Sequence, residues 1–555
     1  MRYLTDIQVF AESLHIGLAT GSTPPAFLRP RLVAASSLEL EPSTTLPAGT
    51  MALLLAEHTA SWCLLTPFER DVAESANGAT FAAIGERFPA IDRATLHEFF
   101  VRLYQRGLLR VDGRPGLDPG LLNEGALYRD GYLVEILVTQ KCNLACRYCL
   151  AEAGPEMPHL HPEDAYAAVD AAFALPGDRG LMIQLSGGEP FVNFALFKAL
   201  VTYIEEKQQQ TGRAARICTQ SNGTLIDDEI ARFVKEHQIA IGISCDGPSA
   251  FSDLSRPMLG GQPSLERTLR GMEALRRNEV PFGVILVLSR ANVGEPETIA
   301  DFFAERGVRS VKINPISMIG DAQLTWNAMA ITPDEYFTFV DRFIDHVTTE
   351  GIALSDGNLG QYLQYLIRRV HDYRCMRSNC GAGRSFFLID AAGEIYPCAH
   401  SAGIPAWRLG SIREIGDGLP ALGERNPVLQ QFPLRLVDQI DEARICPWRH
   451  FCEGGCAVNA YQQYGSMLAP DTLCAFYERM YPRLLERLAT DPGRFQVLLD
   501  GTFGPGQASV VEFALDEREE VAPGQGTQVR GRPRPHALLH QPARRSPRSR
   551  QRRGR

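Results

Sequence analysis

The stretch "LVEILVTQKCNLACRYCL", residues 133–150, joins a strand-like apolar run to a loop that carries three thiols, Cys142, Cys146 and Cys149. A disulfide takes two sulfurs and a structural zinc site takes four ligands. Three thiols in one short loop fit an iron–sulfur cluster with one iron left open.

Downstream the same grammar repeats. Short apolar runs, "LVEILVT", "MIQLSG", "ARICTQS", "IAIGISC", "FGVILVLS" and "VKINPIS", alternate with helical patterns near 163–175, 194–210, 227–237, 264–278, 295–306 and 333–349. Such alternation predicts successive βα units around a parallel sheet, and six of them predict a partial (β/α)6 barrel. In parallel α/β architectures functional groups gather at the C-terminal ends of the strands. The three-cysteine loop follows the first strand, "SGGEP" (Ser186 to Pro190) the second, "SNGT" the third and "SCDGP" the fourth. Taken singly, Gly187-Gly188, Asn222-Gly223 and Asp246-Gly247-Pro248 are ordinary turns. Their order behind a CxxxCxxC loop is not ordinary.

With "CNLACRYC", "SGGEP" and the Ser244 to Arg256 spacing, residues 131 to about 350 resemble the radical S-adenosylmethionine (SAM) superfamily, in its peptide-modifying branch. The resemblance implies that Cys142, Cys146 and Cys149 hold a [4Fe-4S] cluster whose open iron is chelated by SAM. It further implies that Tyr148 lies against the adenine and that Gly187, Gly188 and Glu189 meet the methionine amino group. Asn222 belongs to the same cofactor site, and Ser244 and Arg256 contact the SAM carboxylate. The chemistry agrees: glycines admit close backbone approach, a Glu accepts from an ammonium, and Arg suits a carboxylate.

Seven of the thirteen cysteines crowd into residues 375 to 474, whereas Cys63, Cys218 and Cys245 stand alone and read as small buried apolar fillers. The crowd, "CGAGRSFFLIDAAGEIYPC" followed by "CPWRHFCEGGC" and Cys474, resembles the SPASM module of auxiliary [4Fe-4S] clusters. By that resemblance Cys375, Cys380, Cys398 and Cys456 hold one auxiliary cluster, and Cys446, Cys452 and Cys474 a second. Where the family pattern has a further cysteine, this chain has Ala443, so Asp441, Glu442 or an open iron completes the second site. Structural zinc is the competing reading of the module.

Upstream, residues 47–115 read as "MALLLA", "SWCLL" and helices near 66–75, 79–88 and 93–107, a pattern that resembles the winged-helix-like domain recognising leader peptides. Strand addition to an exposed edge is the recognition mode this implies; a helical cap or dimerisation domain is the alternative. The expected organisation is therefore 1–46 unassigned, 47–115 winged-helix-like, 116–130 linker, 131–370 partial barrel, 371–490 SPASM-like, and 491–555 a peripheral segment with a disordered basic tail.

Length and charge set outer bounds. At 555 residues the chain exceeds a single core. Its net charge of −9 hides an asymmetry, because residues 530–555 hold ten Arg and no acid; such blocks are typically disordered tails, and nucleic acid is not the expected partner. No window is apolar enough for a membrane span, and Asp6 and Glu12 interrupt any secretory core, so the expected location is cytoplasmic.

The function expected on these grounds is an α/β radical SAM maturase. It cleaves SAM reductively, drawing electrons from a carrier such as flavodoxin or ferredoxin, and uses the 5′-deoxyadenosyl radical to modify a ribosomally made precursor peptide. One alternative is a sulfatase-maturase-like enzyme that makes formylglycine. That group carries an acid directly after the "PC" cysteine, where "PCAH" offers Ala399 and then His400, a candidate catalytic base. A non-enzymatic iron–sulfur scaffold that binds peptide is the other.

Overall fold

The computed structural model describes residues 1–6, 30, 32–116, 131–151, 153–177, 180–367, 375, 380–416 and 418–515. At its centre six parallel strands, Tyr132–Thr139, Leu181–Gly187, Ala215–Ser221, Ala240–Ser244, Phe282–Leu288 and Ser310–Pro315, lie side by side in chain order. Each is followed by an outer helix: Pro162–Phe173, Phe194–Thr211, Asp228–Glu236, Leu265–Arg277, Pro296–Glu305 and Pro333–Thr349. Side-chain alternation explains the layering. Val134, Ile136 and Val138 enter the core under the helices with Ile183, Leu185 and Ile217, while Glu135, Gln184, Cys218 and Ser244 alternate to the barrel interior.

The sheet is wider than six strands. Ser355–Asp356 continues it beside the sixth strand, and Phe386–Ile389 pairs parallel with the first, Leu388 opposite Glu135. Antiparallel Glu394–Tyr396 and Gly410–Ser411 complete ten strands. The cysteine-rich region is thus hydrogen-bonded into the barrel sheet. Sequence periodicity missed both additions because one spans two residues and the other lies inside a cysteine run. Helices Ser249–Ser255, Ala322–Met329 and Gly357–Ile367 are further additions.

In front, the meander Ser43–Ala48, Met51–Ala56 and Trp62–Leu65 precedes helices Pro67–Glu74, Phe81–Arg87 and Arg93–Gln105 and the hairpin Leu109–Val111 with Arg114–Pro115. Asp112 and Gly113, both at positive φ, make the hairpin's tight turn. Two boundaries differ from the sequence reading. Ser37–Leu40, inside the unassigned 1–46, pairs with Leu109–Val111. Ala508–Glu512, expected to be peripheral, pairs along its whole length with Arg2–Asp6, which itself pairs with Trp62–Leu65. Neither pairing leaves a local signal, because each is long-range. Among the described residues the outer strands of the resulting five-stranded sheet are Ser43–Ala48 and Ala508–Glu512.

The unit is anchored to the barrel by Trp62. It is fully buried and donates from Nε1 to the Leu366 carbonyl at 2.9 Å; burying an aromatic of this size stabilises by about 1.5–3 kcal/mol or more. The long helix Cys474–Thr490 carries Pro482 inside it. The linker from 117 to 130 and the basic tail lie outside the described residues. No helix among the described residues is long and apolar enough to cross a membrane.

Candidate iron–sulfur and SAM site

The three-cysteine loop leaves the first strand and is gripped from three sides. From the second strand, Gly188 N–H donates to Thr139 O and Glu189 N–H to Lys141 O, both at 2.9 Å. The segment after helix Ser249–Ser255 runs along it: Ala145 N–H donates to Pro257 O at 2.8 Å and Arg147 N–H to Ser255 O at 3.0 Å. From beyond the sixth strand, Asp321 N–H donates to Cys149 O at 3.0 Å and the Thr325 hydroxyl to Arg147 O at 2.7 Å. Gly320, at φ +59°, is required there because a Cβ would stand 2.3 Å from Cys149 O. This last clamp carries no sequence motif and was missed.

The glycines of "SGGEP" have a reason in the chain itself. A Cβ on Gly187 would stand 2.2 Å from Thr139 O, and one on Gly188 2.4 Å from Lys141 O. The close approach is to the backbone under the cysteine loop, rather than to a bound ligand alone. Glu189 is fully buried. Oε1 accepts from Ser221 Oγ at 2.9 Å and Phe191 N–H at 3.2 Å, and Oε2 from Asn222 N–H at 2.7 Å. A carboxylate offers about four acceptor positions, so one remains on Oε2. Burial pushes Glu189 up to about 7 against those hydrogen bonds.

Asn222 reaches back to the cysteine loop, donating from Nδ2 to Asn143 Oδ1 at 2.9 Å and toward Cys142 Sγ at 3.9 Å. Ser244 accepts from Gln220 Nε2 at 3.1 Å. Arg256 donates from Nη1 to the Tyr148 hydroxyl at 2.9 Å, and that hydroxyl also donates to Asp246 Oδ2. Asp246 is fully buried and accepts from Val287 N–H at 3.1 Å; sequence reasoning treated it only as a turn residue. Its signal was its place in the "SCDGP" loop at a strand end.

The thiols converge. Burial pushes Cys142 up to about 12, with Glu189, Cys146 and Cys149 adding to it, and Cys146 up to about 11, partly offset by Arg256. Without a bound cation burial keeps these thiols protonated, whereas metal is bound by the thiolate and binding releases the proton. Among the described residues no three His, Cys, Asp or Glu side chains are spaced for a single metal ion; cluster thiolates stand on different irons and therefore further apart.

The later cysteines gather in two sets. Cys398 is pushed well above its usual range, first by burial and then by Cys456, Cys380 and Cys375. Cys452 is raised by burial and then by Cys474 and Cys446. The acid facing both Cys446 and Cys474 is Glu478, which lies four residues after Cys474 on helix Cys474–Thr490 and hence on the same face. Glu442 also faces Cys474, whereas Asp441 is exposed and pairs with Arg444 at 3.7 Å.

His400 hydrogen-bonds through Nδ1 to Asn459 Oδ1 at 2.9 Å. Burial pulls its pKa down, but Cys456 and Asn459 outweigh that and hold it up at about 9. Inside the barrel, Glu135 accepts from Gln184 Nε2 at 3.0 Å and is raised by burial, its charge facing His400. Cys218 is only half-buried and lies 3.8 Å from Gln184 Oε1, so it lines this polar interior rather than filling an apolar gap, unlike Cys63 and Cys245.

Residues 136–303 match the Radical SAM superfamily model. The chain is 26% identical over 386 residues to an AdoMet-dependent heme synthase of Oleidesulfovibrio alaskensis, covering 66% of this chain and 94% of the relative. It is 23% identical over 357 residues to a cysteine-type anaerobic sulfatase-maturating enzyme of Clostridium perfringens, covering 62% and 94%. In fold it resembles anSMEcpe solved with bound AdoMet and a Kp18Cys peptide, with TM-score 0.55, 21% identity and coverage of 65% of this chain and 99% of that one. About a third of this chain therefore extends beyond that fold.

Proposed function

We propose that this chain, which carries a radical SAM domain, is a maturase that modifies a residue of a ribosomally made precursor peptide. The observation that carries the reading is the convergence of Cys142, Cys146 and Cys149 at the C-terminal end of the first strand, between the "SGGEP" loop, Asn222 and Arg256. Those three cysteines would hold a [4Fe-4S] cluster, which with bound SAM would supply the radical chemistry needed to break an unactivated C–H bond.

The chain's own residues prepare the site. Glu189 turns its remaining acceptor position to the SAM ammonium, Arg256 meets the carboxylate, and Tyr148, fixed between Arg256 and Asp246, offers its ring to the adenine. Glu135 and Gln184 present hydrogen-bonding groups to the substrate inside the barrel. His400, held through Nδ1 by Asn459 Oδ1, faces Cys456 rather than standing free as a base. Two auxiliary clusters follow, on Cys375, Cys380, Cys398 and Cys456 and on Cys446, Cys452 and Cys474, with Glu478 as the fourth ligand of the second. The front unit binds the leader segment by strand addition at Ser43–Ala48. A flavodoxin or ferredoxin supplies electrons.

Sulfatase-maturase activity is the second reading, favoured by similarity to the Clostridium perfringens relative. Ala399 in place of the acid after Cys398 weighs against it. The test is anaerobic reconstitution and measurement of 5′-deoxyadenosine from the wild type and from the variant with Cys142→Ala, Cys146→Ala and Cys149→Ala combined. Formation only in the wild type is expected; no formation in a wild type with spectroscopically confirmed clusters would leave an iron–sulfur scaffold. A sulfatase-derived cysteine peptide converted to formylglycine would select the second reading.

A further inference from the structure

Arg435 follows the short helix Leu429–Leu434 and is fully buried. Among the described residues its guanidinium donates to main-chain carbonyls alone: Nε to Met467 at 2.9 Å, Nη2 to Gly454 at 2.7 Å and Nη1 to Glu453 at 3.3 Å. No carboxylate forms an ion pair with it among the described residues; Asp471, whose charge faces it, is itself engaged with Cys456 N–H, Asn459 Nδ2, Leu473 N–H and the Tyr477 hydroxyl. A buried cation whose partners are all neutral carries a desolvation cost that hydrogen bonds offset only in part.

Besides Asp471, the groups facing Arg435 are cysteines from both later sets: Cys380 and Cys456 of one, Cys452 of the other. The "CEGGC" turn, residues 452–456, is wrapped around it. Gly454 and Gly455 stand at φ +75° and +68°. A Cβ on Gly454 would lie 3.3 Å from Arg435 Nη2 and 2.6 Å from Ile440, and one on Gly455 2.4 Å from Asp471. The turn that carries one ligand of each set is thus packed against Arg435, Ile440 and Asp471 together.

We infer that Arg435 is the shared counter-charge of the two auxiliary clusters and holds their reduction potentials up. The inference rests on the proposed assignment of those clusters. A [4Fe-4S] core bound by thiolates carries net negative charge of about −2, and net charge is among the factors that set its potential. Taking up an electron makes the cluster more negative still, so a fixed cation between the two sites favours the reduced form of each. Arg435 touches no substrate in this account; it acts through the clusters.

The test is a redox titration of the reconstituted full chain followed by electron paramagnetic resonance, comparing wild type, Arg435→Met and Arg435→Lys. Iron and sulfide analysis of the wild type comes first, and a cluster content showing no auxiliary clusters would overturn the assignment and the inference together. With those clusters present, Arg435→Met is expected to raise the oxidised-to-reduced ratio of the auxiliary clusters at least tenfold at fixed potential, about 59 mV downward for one electron. Arg435→Lys, which keeps the charge, moves much less, and the cluster on Cys142, Cys146 and Cys149 does not move in either variant.

Unchanged auxiliary potentials in a fully loaded Arg435→Met would overturn the inference while leaving the assignment standing. Should Arg435→Met lose its clusters, retention in Arg435→Lys would support the role of charge, and loss in both would overturn it in favour of packing alone.

Discussion

Asn222 donates to Asn143 across 2.9 Å, tying the loop after the third strand to the interior of the three-cysteine loop after the first. The same Asn222 carboxamide oxygen accepts from Thr224 N–H at 2.9 Å, and Asn143 Nδ2 donates to the Thr224 hydroxyl at 2.8 Å. Two strand ends thereby fix the cysteine loop before any cofactor arrives. Asn222→Ala leaves Asn143 unpartnered on one side, at a cost of about 1–3 kcal/mol. Urea unfolding should show a lower midpoint for the barrel, and iron retained after reconstitution should fall.

Gly188→Ala meets a harder limit, since its Cβ would stand 2.4 Å from the Lys141 carbonyl. Backbone cannot yield as a flexible side chain does, so the expected destabilisation is about 1–3 kcal/mol, read as a lower thermal midpoint with reduced cluster loading. Gly501→Ala is the matched control. It lies in helix Pro492–Phe503 with nothing within 4 Å of an added Cβ, and should be neutral or stabilise by up to about 1 kcal/mol.

Asp356 gives a pH dependence of defined sign. Buried and accepting from Ile313, Asn358 and Leu359 N–H groups, it is pushed up to about 6 by burial despite those bonds. The folded state therefore binds a proton that the unfolded chain has already released. Its contribution is fully present below about pH 4 and is lost as pH rises through 6, a difference of about 2–3 kcal/mol by linkage. Asp356→Asn should flatten this part of the stability profile when apoprotein unfolding is followed between pH 4 and 8.

Glu478→Ala should alter the second auxiliary cluster and spare the others. The expected readout is a changed electron paramagnetic resonance signal and a lower iron content, with Glu478→Cys restoring a four-ligand cluster at a more negative potential. An unchanged signal, with Glu442→Ala producing the change instead, would move the fourth ligand to Glu442.

The barrel and its cofactor loops were legible in the sequence because their signals are local. Period-two apolar runs, the CxxxCxxC spacing and a glycine pair after a strand each describe neighbours a few residues apart, and all six central strands follow in the order read. What only the tertiary structure decided is long-range. Arg2–Asp6 finds Ala508–Glu512 some five hundred residues away, Phe386–Ile389 docks on the first barrel strand, and Gly320 is forced by a carbonyl of the cysteine loop. The surroundings of Asp246, Glu478 and Arg435 are of the same kind. A turn residue, an exposed acid and a lone arginine have no distinctive pattern in sequence, because what defines them is the charge and packing of groups that folding brings beside them.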